Sequence, residues 1–124
     1  MKQTILFVDD SVSIRELVSH TLKSAGFDVL TSDDGDNALK LFDGRTIDLL
    51  ITDLHMERMN GIQLTVNIRK MDNYKRIPIV VLTTESQLLI KNDAKAAGAT
   101  AWITKPFNPE NLVKVVNKLI RVGN

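Results

Sequence analysis

The 124-residue chain contains no cysteine, and this absence excludes disulfide bridges and thiolate metal sites. No apolar run approaches the roughly 20 residues of a membrane-spanning helix. The apolar run after Thr4 is too short for a secretory signal. The formal net charge is +1, so no excess of one sign indicates binding to nucleic acid or to an anionic membrane. These absences predict a protein of a reducing, cytoplasmic compartment.

What the chain does have is a series of short apolar runs that alternate with helical patterns. The predicted strands cover residues 5–8, 28–31, 49–52, 79–82 and 102–104. The predicted helices cover residues 13–25, 37–42, 61–71, 85–97 and 109–120. Central strands that are apolar throughout need helices on both faces. We therefore predict one α/β domain over residues 1–124, a doubly wound sheet of five parallel strands.

Local signals indicate where several of the helices begin. Ser13 followed by Glu16 has the pattern of a capping box at the first helix. Gly61 is predicted to open the third helix. Asn108 followed by Pro109 predicts a cap and a first helical residue for the last helix.

Polar residues follow the apolar runs at the point where each predicted strand ends. They are Asp9 and Asp10, then Asp53, then Thr83 and Thr84, and finally Lys105. Parallel strands bring their carboxyl ends to one edge of the sheet, where open α/β folds bind ligands. Three crowded carboxylates repel each other and call for a cation. A lysine and a hydroxyl beside them suggest a phosphoryl group.

Taken in order, these residues resemble the motifs of the response-regulator receiver family. The similarity includes Met56 and Gly61 after the Asp53 strand and Pro106 after Lys105, and it extends over essentially the whole chain. Residues 98–107 are most similar to the stand-alone, chemotaxis-type (CheY-like) members. The resemblance implies a flavodoxin-like fold with strand order 2-1-3-4-5.

The resemblance also implies a phosphorylation site that depends on Mg²⁺. Asp53 is expected to accept a phosphoryl group from a histidine kinase of the chemotaxis type. Asp10 is expected to bind Mg²⁺ directly and Asp9 largely through water. Asp53 and the backbone carbonyl of His55 are expected to complete the protein ligands. Oxygen ligands together with several waters are the pattern that Mg²⁺ prefers.

Three further residues receive roles from the same resemblance. Lys105 is expected to pair with the phosphoryl oxygens, and the peptide bond between Lys105 and Pro106 is expected to be cis. Thr83 is expected to donate a hydrogen bond to the phosphoryl group. Trp102 occupies the position of a switch aromatic, whose movement is coupled to Thr83 by a shift between two states. A static tryptophan on the last strand is the alternative.

The chain departs from the family pattern at several positions beside the site. Glu57 follows Met56 where the family usually has proline, so a looser loop is expected. Thr84 stands where a smaller residue is usual and is expected to narrow access to the phosphoryl site. His55 and Glu85 are expected to tune the attack of water on the acyl phosphate.

The expected output is a protein that docks on this domain, because no DNA-binding segment follows the fifth helix in the sequence. The expected docking face is formed by the fourth helix, the fifth strand and the fifth helix, and includes the apolar run Leu88, Leu89 and Ile90. A flagellar-motor switch protein is one candidate partner, and a kinase for which the chain is a phosphate sink is another. We expect a monomer that is no enzyme beyond its own phosphorylation and dephosphorylation.

Three other interpretations stay open from the sequence. One is a degenerate receiver that acts by protein binding alone. A haloacid-dehalogenase-like phosphatase uses similar groups, but its nucleophile follows the first strand, where this chain has Asp9 and Asp10. A flavin or dinucleotide binder needs a phosphate loop after the first strand, where these two carboxylates repel phosphate.

Overall fold

Five strands and five helices alternate along the chain in a computed structural model that describes residues 2–56, 58–84 and 88–121. The strands are β1 (Thr4–Val8), β2 (Asp28–Ser32), β3 (Leu49–Asp53), β4 (Ile79–Thr83) and β5 (Ala101–Thr104). The helices are α1 (Val12–Ser24), α2 (Gly35–Lys40), α3 (Gly61–Arg69), α4 (Leu88–Ala97) and α5 (Pro109–Arg121). In the part of the chain so described, no helix combines the length and the apolar character needed to cross a membrane.

The strands form one parallel sheet in the order β2-β1-β3-β4-β5. This confirms the predicted doubly wound α/β fold and the flavodoxin-like order. The register aligns the carboxyl ends of neighbouring strands, since Val8 lies beside Thr52 and Asp53 lies beside Leu82. The residues that follow the strands therefore meet at one edge.

Side chains that alternate along the strands fill two apolar layers, one on each face of the sheet. Ile5 and Phe7 pack with residues of α1 and α5, whereas Leu6 and Val8 pack with residues of α2 and α3. Strands β3 and β4 are buried throughout, because both faces of the central sheet are covered. The carboxyl edge of the sheet is therefore formed in part by strands that are held firmly on both faces.

Two helices begin earlier than the sequence signals indicated. Helix α2 begins at Gly35 after the N-cap Asp34, two residues before the predicted start. Ser11, not Ser13, is the N-cap of α1, and its Oγ accepts a hydrogen bond from the N–H of Ile14 at 3.3 Å. The predicted capping box of Ser13 and Glu16 is therefore wrong. The chain turns directly after Asp9, whose Oδ1 accepts from the N–H of Ser11, and α1 starts earlier than the pattern indicated.

Two other predicted helix starts are confirmed. Asn60 caps α3 in a capping box with Gln63, and α3 begins at Gly61. Helix α5 begins at Pro109, and Asn108 Oδ1 accepts a hydrogen bond from the N–H of Glu110 at 2.8 Å.

Arg69, at the end of α3, ties the end of α4 to the loop before β4. Its guanidinium donates to the carbonyl oxygens of Gly98, Lys75 and Ile77 at 2.7–3.0 Å. Gly98 ends α4 with a φ of 110°, and the Arg69 side chain lies directly over its Cα. These contacts join three segments that are distant in sequence. Partial burial lowers the pKa of Arg69, but an arginine stays charged at neutral pH.

Candidate phosphorylation site

Three carboxylates meet at the carboxyl edge of the sheet, where β1 and β3 end. Asp9, Asp10 and Asp53 each offer an oxygen, and the three oxygens lie within 4.8 Å of one another. Asp9 and Asp53 are buried, whereas Asp10 is exposed. The predicted grouping of these residues is therefore present in the structure, with one carboxylate open to solvent.

Asp9 is held on several sides and has little freedom to reorient. Its Oδ1 accepts from the N–H of Ser11 at 2.9 Å, and its Oδ2 accepts from Lys105 Nζ at 3.0 Å. Its own N–H donates to the carbonyl of Ser32, and its carbonyl accepts from Arg15 at 2.7 Å. These bonds compensate the cost of burying the Asp9 carboxylate.

Lys105 is the cation of the site and lies between two buried carboxylates. Its Nζ is 3.0 Å from Asp9 Oδ2 and 3.3 Å from Asp53 Oδ1. Its backbone N–H donates to the carbonyl of Thr83 at 2.7 Å, and the bond to Pro106 is cis. Burial of the ammonium opposes its charge, but the hydrogen bond to Asp9 and the charges of Asp53 and Asp9 outweigh burial and raise the pKa of Lys105.

For Asp53, burial outweighs the favourable charge contacts, whereas for Lys105 the charge contacts outweigh burial. Burial raises the pKa of the Asp53 carboxyl above its ordinary value, and the charge of Asp9 adds to the increase. Lys105 acts in the other direction but does not cancel burial. The charged form of Asp53 is therefore less favourable in the folded protein than in the unfolded chain.

We predict that Asp53→Asn raises the melting temperature of the metal-free protein at neutral pH. A raised carboxyl pKa destabilises the fold at pH values above it, and the amide removes that penalty. The difference between parent and variant should shrink as the pH falls through the folded pKa of Asp53, where both side chains are neutral. Thermal unfolding in chelator between neutral and mildly acidic pH measures it, and a variant less stable than the parent at neutral pH contradicts the prediction.

The loop between β3 and α3 folds back closely on Asp53. The N–H of Leu54 donates to the carbonyl of Leu82, and the N–H of Gly61 donates to the carbonyl of Leu54, both at 2.9 Å. A Cβ on Gly61 would lie 2.5 Å from the Asp53 carbonyl oxygen, so glycine is required by this close approach. His55 is exposed at the start of the loop, two residues after Asp53.

The remaining predicted residues lie at the end of β4 and on β5. Thr83 is fully buried at the end of β4, and Thr84 is exposed just beyond it. Trp102 is half-buried on β5 and lines a cavity of about 270 Å³ against α4, with Lys91 and Lys95. The indole N–H of Trp102 is buried and has no hydrogen-bond partner among the described residues. Trp102 thus faces α4.

Some predictions fall on parts of the chain that the structure does not describe. Glu57 and Glu85 lie outside the described residues, as do the side chains of Leu88 and Leu89. Ile90, the third residue of the predicted apolar run, is half-buried.

Two arginines beside the site were not identified from the sequence. Arg15 donates to the carbonyl of Asp9 from the first turns of α1. Arg58, in the loop after Asp53, lies beside carboxylates at the start of α2. A position six residues after Asp9 on a helix was a usable signal for Arg15, whereas nothing in the sequence pairs Arg58 with α2.

Comparison with known proteins assigns this arrangement to a family. A family model described as the response regulator receiver domain matches residues 5–117. This chain belongs to the response-regulator receiver family. Receiver domains are the signalling part of two-component response regulators, are generally not enzymes, and in general have a histidine kinase as partner. Receivers bind Mg²⁺ in an acidic pocket, and the three carboxylates described above form such a pocket.

Individual relatives are consistent with a CheY-like receiver. The chain is 37% identical to chemotaxis protein CheY1 of Helicobacter pylori, over 87% of this chain and 89% of the relative. The structure of Vibrio cholerae chemotaxis protein CheY4 matches with a TM-score of 0.92 and 43% identity, over 96% of this receiver and 99% of that chain. The Pseudomonas aeruginosa PA1611 receiver, with magnesium in its active-site cleft, matches at TM-score 0.89 and 26% identity, over 98% and 99% of the two chains.

Other curated relatives are longer proteins. The chain spans about half the length of several transcriptional regulators that it matches, among them one from Bacillus subtilis at 38% identity over 98% of this receiver. The similarity therefore covers the receiver part of those proteins.

Proposed function

We propose that this receiver accepts a phosphoryl group on Asp53 from a histidine kinase and thereby controls the binding of an output protein. The observation that carries the proposal is the position of the Asp53 carboxylate, 3.3 Å from Lys105 Nζ and within 4.8 Å of two further carboxylates. A nucleophile beside a fixed cation and an acidic metal pocket has the parts that phosphoryl transfer needs.

In the proposed step, an oxygen of Asp53 attacks the phosphorus of a phosphohistidine. The new O–P bond forms as the P–N bond breaks, and the electron pair of the P–N bond stays on the imidazole of the kinase. Lys105 Nζ is already directed at Asp53 Oδ1, so it can neutralise charge on the transferred group with little reorganisation. Thr83, at the end of the neighbouring strand β4, is the proposed hydroxyl donor to the phosphoryl oxygens.

The donor set suits Mg²⁺, which supplies positive charge for the phosphoryl oxygens when it is bound. Asp10 is exposed and offers its carboxylate freely, and Asp53 and the carbonyl of His55 are proposed as further ligands. Asp9 already accepts from Lys105 and Ser11, so we propose that it acts mainly through water. His55 and Glu85 are proposed to tune hydrolysis, and Thr84, exposed beyond β4, to narrow access.

We further propose a role in chemotaxis signalling, in the cytoplasm, for a monomer whose single domain spans residues 1–124. The similarity to CheY1 and CheY4 along nearly their whole lengths supports it. The proposed docking face consists of α4, β5 and α5, with Trp102 as its switch residue. A flagellar-motor switch protein is the proposed output partner, and use as a phosphate sink is the alternative.

Intact-mass spectrometry with Mg²⁺ and a small acyl-phosphate donor tests this function. We expect one phosphoryl adduct on the parent, none on Asp53→Asn, and an unchanged adduct on the control Asp72→Asn, whose carboxylate is exposed far from the cluster in sequence. Omitting Mg²⁺ should abolish the adduct. A folded parent that takes up no phosphoryl group from the small donor or from a phosphorylated kinase domain contradicts the proposal and favours a degenerate receiver.

A further inference from the structure

Arg58 adopts a backbone conformation that its residue type disfavours. Its φ is 67°, in the left-handed region where a Cβ is crowded. Such a conformation persists when the surroundings determine it, and it often occurs at functional sites. Arg58 lies five residues after Asp53 in the loop that leads to α3.

The Arg58 side chain reaches the start of α2 and contacts two carboxylates there. Its NH2 is 3.4 Å from Asp34 Oδ2, and its Nε is 3.7 Å from Asp36 Oδ2. Asp34 is the N-cap of α2, and its Oδ1 accepts from the N–H of Asn37 at 2.7 Å. Arg58 therefore holds a carboxylate that is itself fixed to the helix.

The backbones of the two segments also touch beside this ion pair. A Cβ on Gly35 would lie 2.6 Å from the carbonyl oxygen of Met59, the residue after Arg58. Gly35 is the first residue of α2 and is buried. The loop after Asp53 thus rests directly on α2, and the arginine closes the contact from the solvent side, where 70% of its side chain is exposed.

This contact matters because the loop begins at the proposed phosphorylation site and contains no proline to restrict its backbone. Its start carries the carbonyl of His55, the proposed Mg²⁺ ligand, and its end is fixed by the bond from Gly61 to Leu54. Glu57 stands where receivers usually have proline, so φ is not restricted there by the residue itself. The restraint has to come from contacts.

We propose that Arg58 is a positioning residue that clamps the loop after Asp53 to the start of α2 and so preorganises the metal site. The proposal rests on the function proposed above. In it, the ion pairs of Arg58 with α2 restrain the loop backbone in place of a proline. The Arg58 side chain is 70% exposed, so high salt weakens its attraction to the two carboxylates.

The test compares Arg58→Gln, which keeps the reach but removes the charge, with Arg58→Lys, which keeps a charge. Mg²⁺ affinity is measured by calorimetry, and amide hydrogen exchange of the loop is measured in chelator. We expect Arg58→Gln to weaken Mg²⁺ binding about threefold and to speed loop exchange by a similar factor. Arg58→Lys should recover part of both effects.

Asp36→Asn, alone and combined with Arg58→Gln, completes a double-mutant cycle. The double variant should bind Mg²⁺ as Arg58→Gln does, and about 1 M salt should remove the difference between parent and Arg58→Gln. Additive effects of the two changes, or loop exchange and Mg²⁺ affinity equal to those of the parent, overturn the clamp.

The two proposals fail in different ways. A parent that acquires the phosphoryl adduct while Arg58→Gln binds Mg²⁺ like the parent leaves the function standing and rejects the clamp. The opposite result is also possible: the loop exchanges faster in Arg58→Gln, but the parent never acquires the adduct. That result supports the effect of the clamp on the loop and rejects its role in phosphorylation.

Discussion

Replacing Lys105 by alanine is expected to lower the free energy of unfolding of the metal-free protein by about 2–3 kcal/mol at pH 7. The lysine is the cation that contacts both Asp9 and Asp53, and its side chain is 20% exposed. Without it, the buried carboxylate of Asp9 keeps its bond from Ser11 but loses its ion pair. Removing one partner of a buried pair costs more than the pair contributes, because the other charge stays buried.

The pH dependence of this loss has a definite sign. The pKa of Lys105 is raised in the folded protein, so its stabilising effect is fully present at neutral pH and disappears as the pH rises through that pKa. At the acid end, Asp53 takes up a proton at a higher pH than an ordinary carboxyl, because its pKa is also raised. The cost of Lys105→Ala should therefore shrink as the pH falls through the folded pKa of Asp53.

Urea unfolding of parent and Lys105→Ala in chelator, at several pH values, measures both effects. Lys75→Ala is the matched control, because it removes a lysine from an exposed pair with Asp72. Such a pair contributes at most about 1 kcal/mol. Equal losses for the two alanine variants at neutral pH would show that the Lys105 pairs behave as surface ion pairs.

Gly61→Ala is expected to destabilise the protein by about 3 kcal/mol, although alanine is the better helix former. A methyl group at this position meets the Asp53 carbonyl oxygen at 2.5 Å and the Leu54 Cα at 3.2 Å. Both are backbone atoms at the end of β3 or directly after it, where the N–H of Leu54 donates to the carbonyl of Leu82, so they cannot rotate away. The collision should displace the start of the loop and slow phosphorylation even where the variant is folded.

Gly44→Ala provides the control for this substitution. Gly44 has a φ of 108°, and a methyl group added there would have no described atom within 4 Å, so alanine is penalised by backbone conformation alone. We expect Gly44→Ala to cost about 1–2 kcal/mol and to leave the phosphorylation rate unchanged. Urea unfolding and the rate of adduct formation by intact mass distinguish the two variants. A Gly61→Ala variant that phosphorylates at the parental rate contradicts the expected displacement.

Much of the fold could be predicted because apolar runs mark the strands. The run at 5–8 corresponds to β1 (Thr4–Val8), and the run at 49–52 corresponds to β3 (Leu49–Asp53). The residue after each run then lies at a known edge of a parallel sheet. This is why the grouping of the acidic residues with Lys105 could be expected from the sequence alone.

The sequence could not distinguish the environments of Asp9 and Asp10. The first is buried and in contact with Lys105, a residue 96 positions away, whereas the second is exposed. Contacts to backbone carbonyls are equally hidden, since every residue offers one. Arg69 donates to three backbone carbonyls, and the identity of the side chains at those positions does not predict these bonds. Only the folded structure shows them.

The bonds of Arg69 have a consequence for how α4 can move. They hold the carbonyl of Gly98, so as long as these bonds persist a rigid α4 changes direction by turning about that end. The helix has 10 residues and is therefore about 15 Å long, and a tilt of about 10° displaces its far end by roughly 3 Å. That far end, at Leu88, follows Thr84 closely in the chain. A change at the end of β4 that moves Leu88 would therefore turn the whole of α4 about Gly98, with displacements that decrease along the helix towards that end.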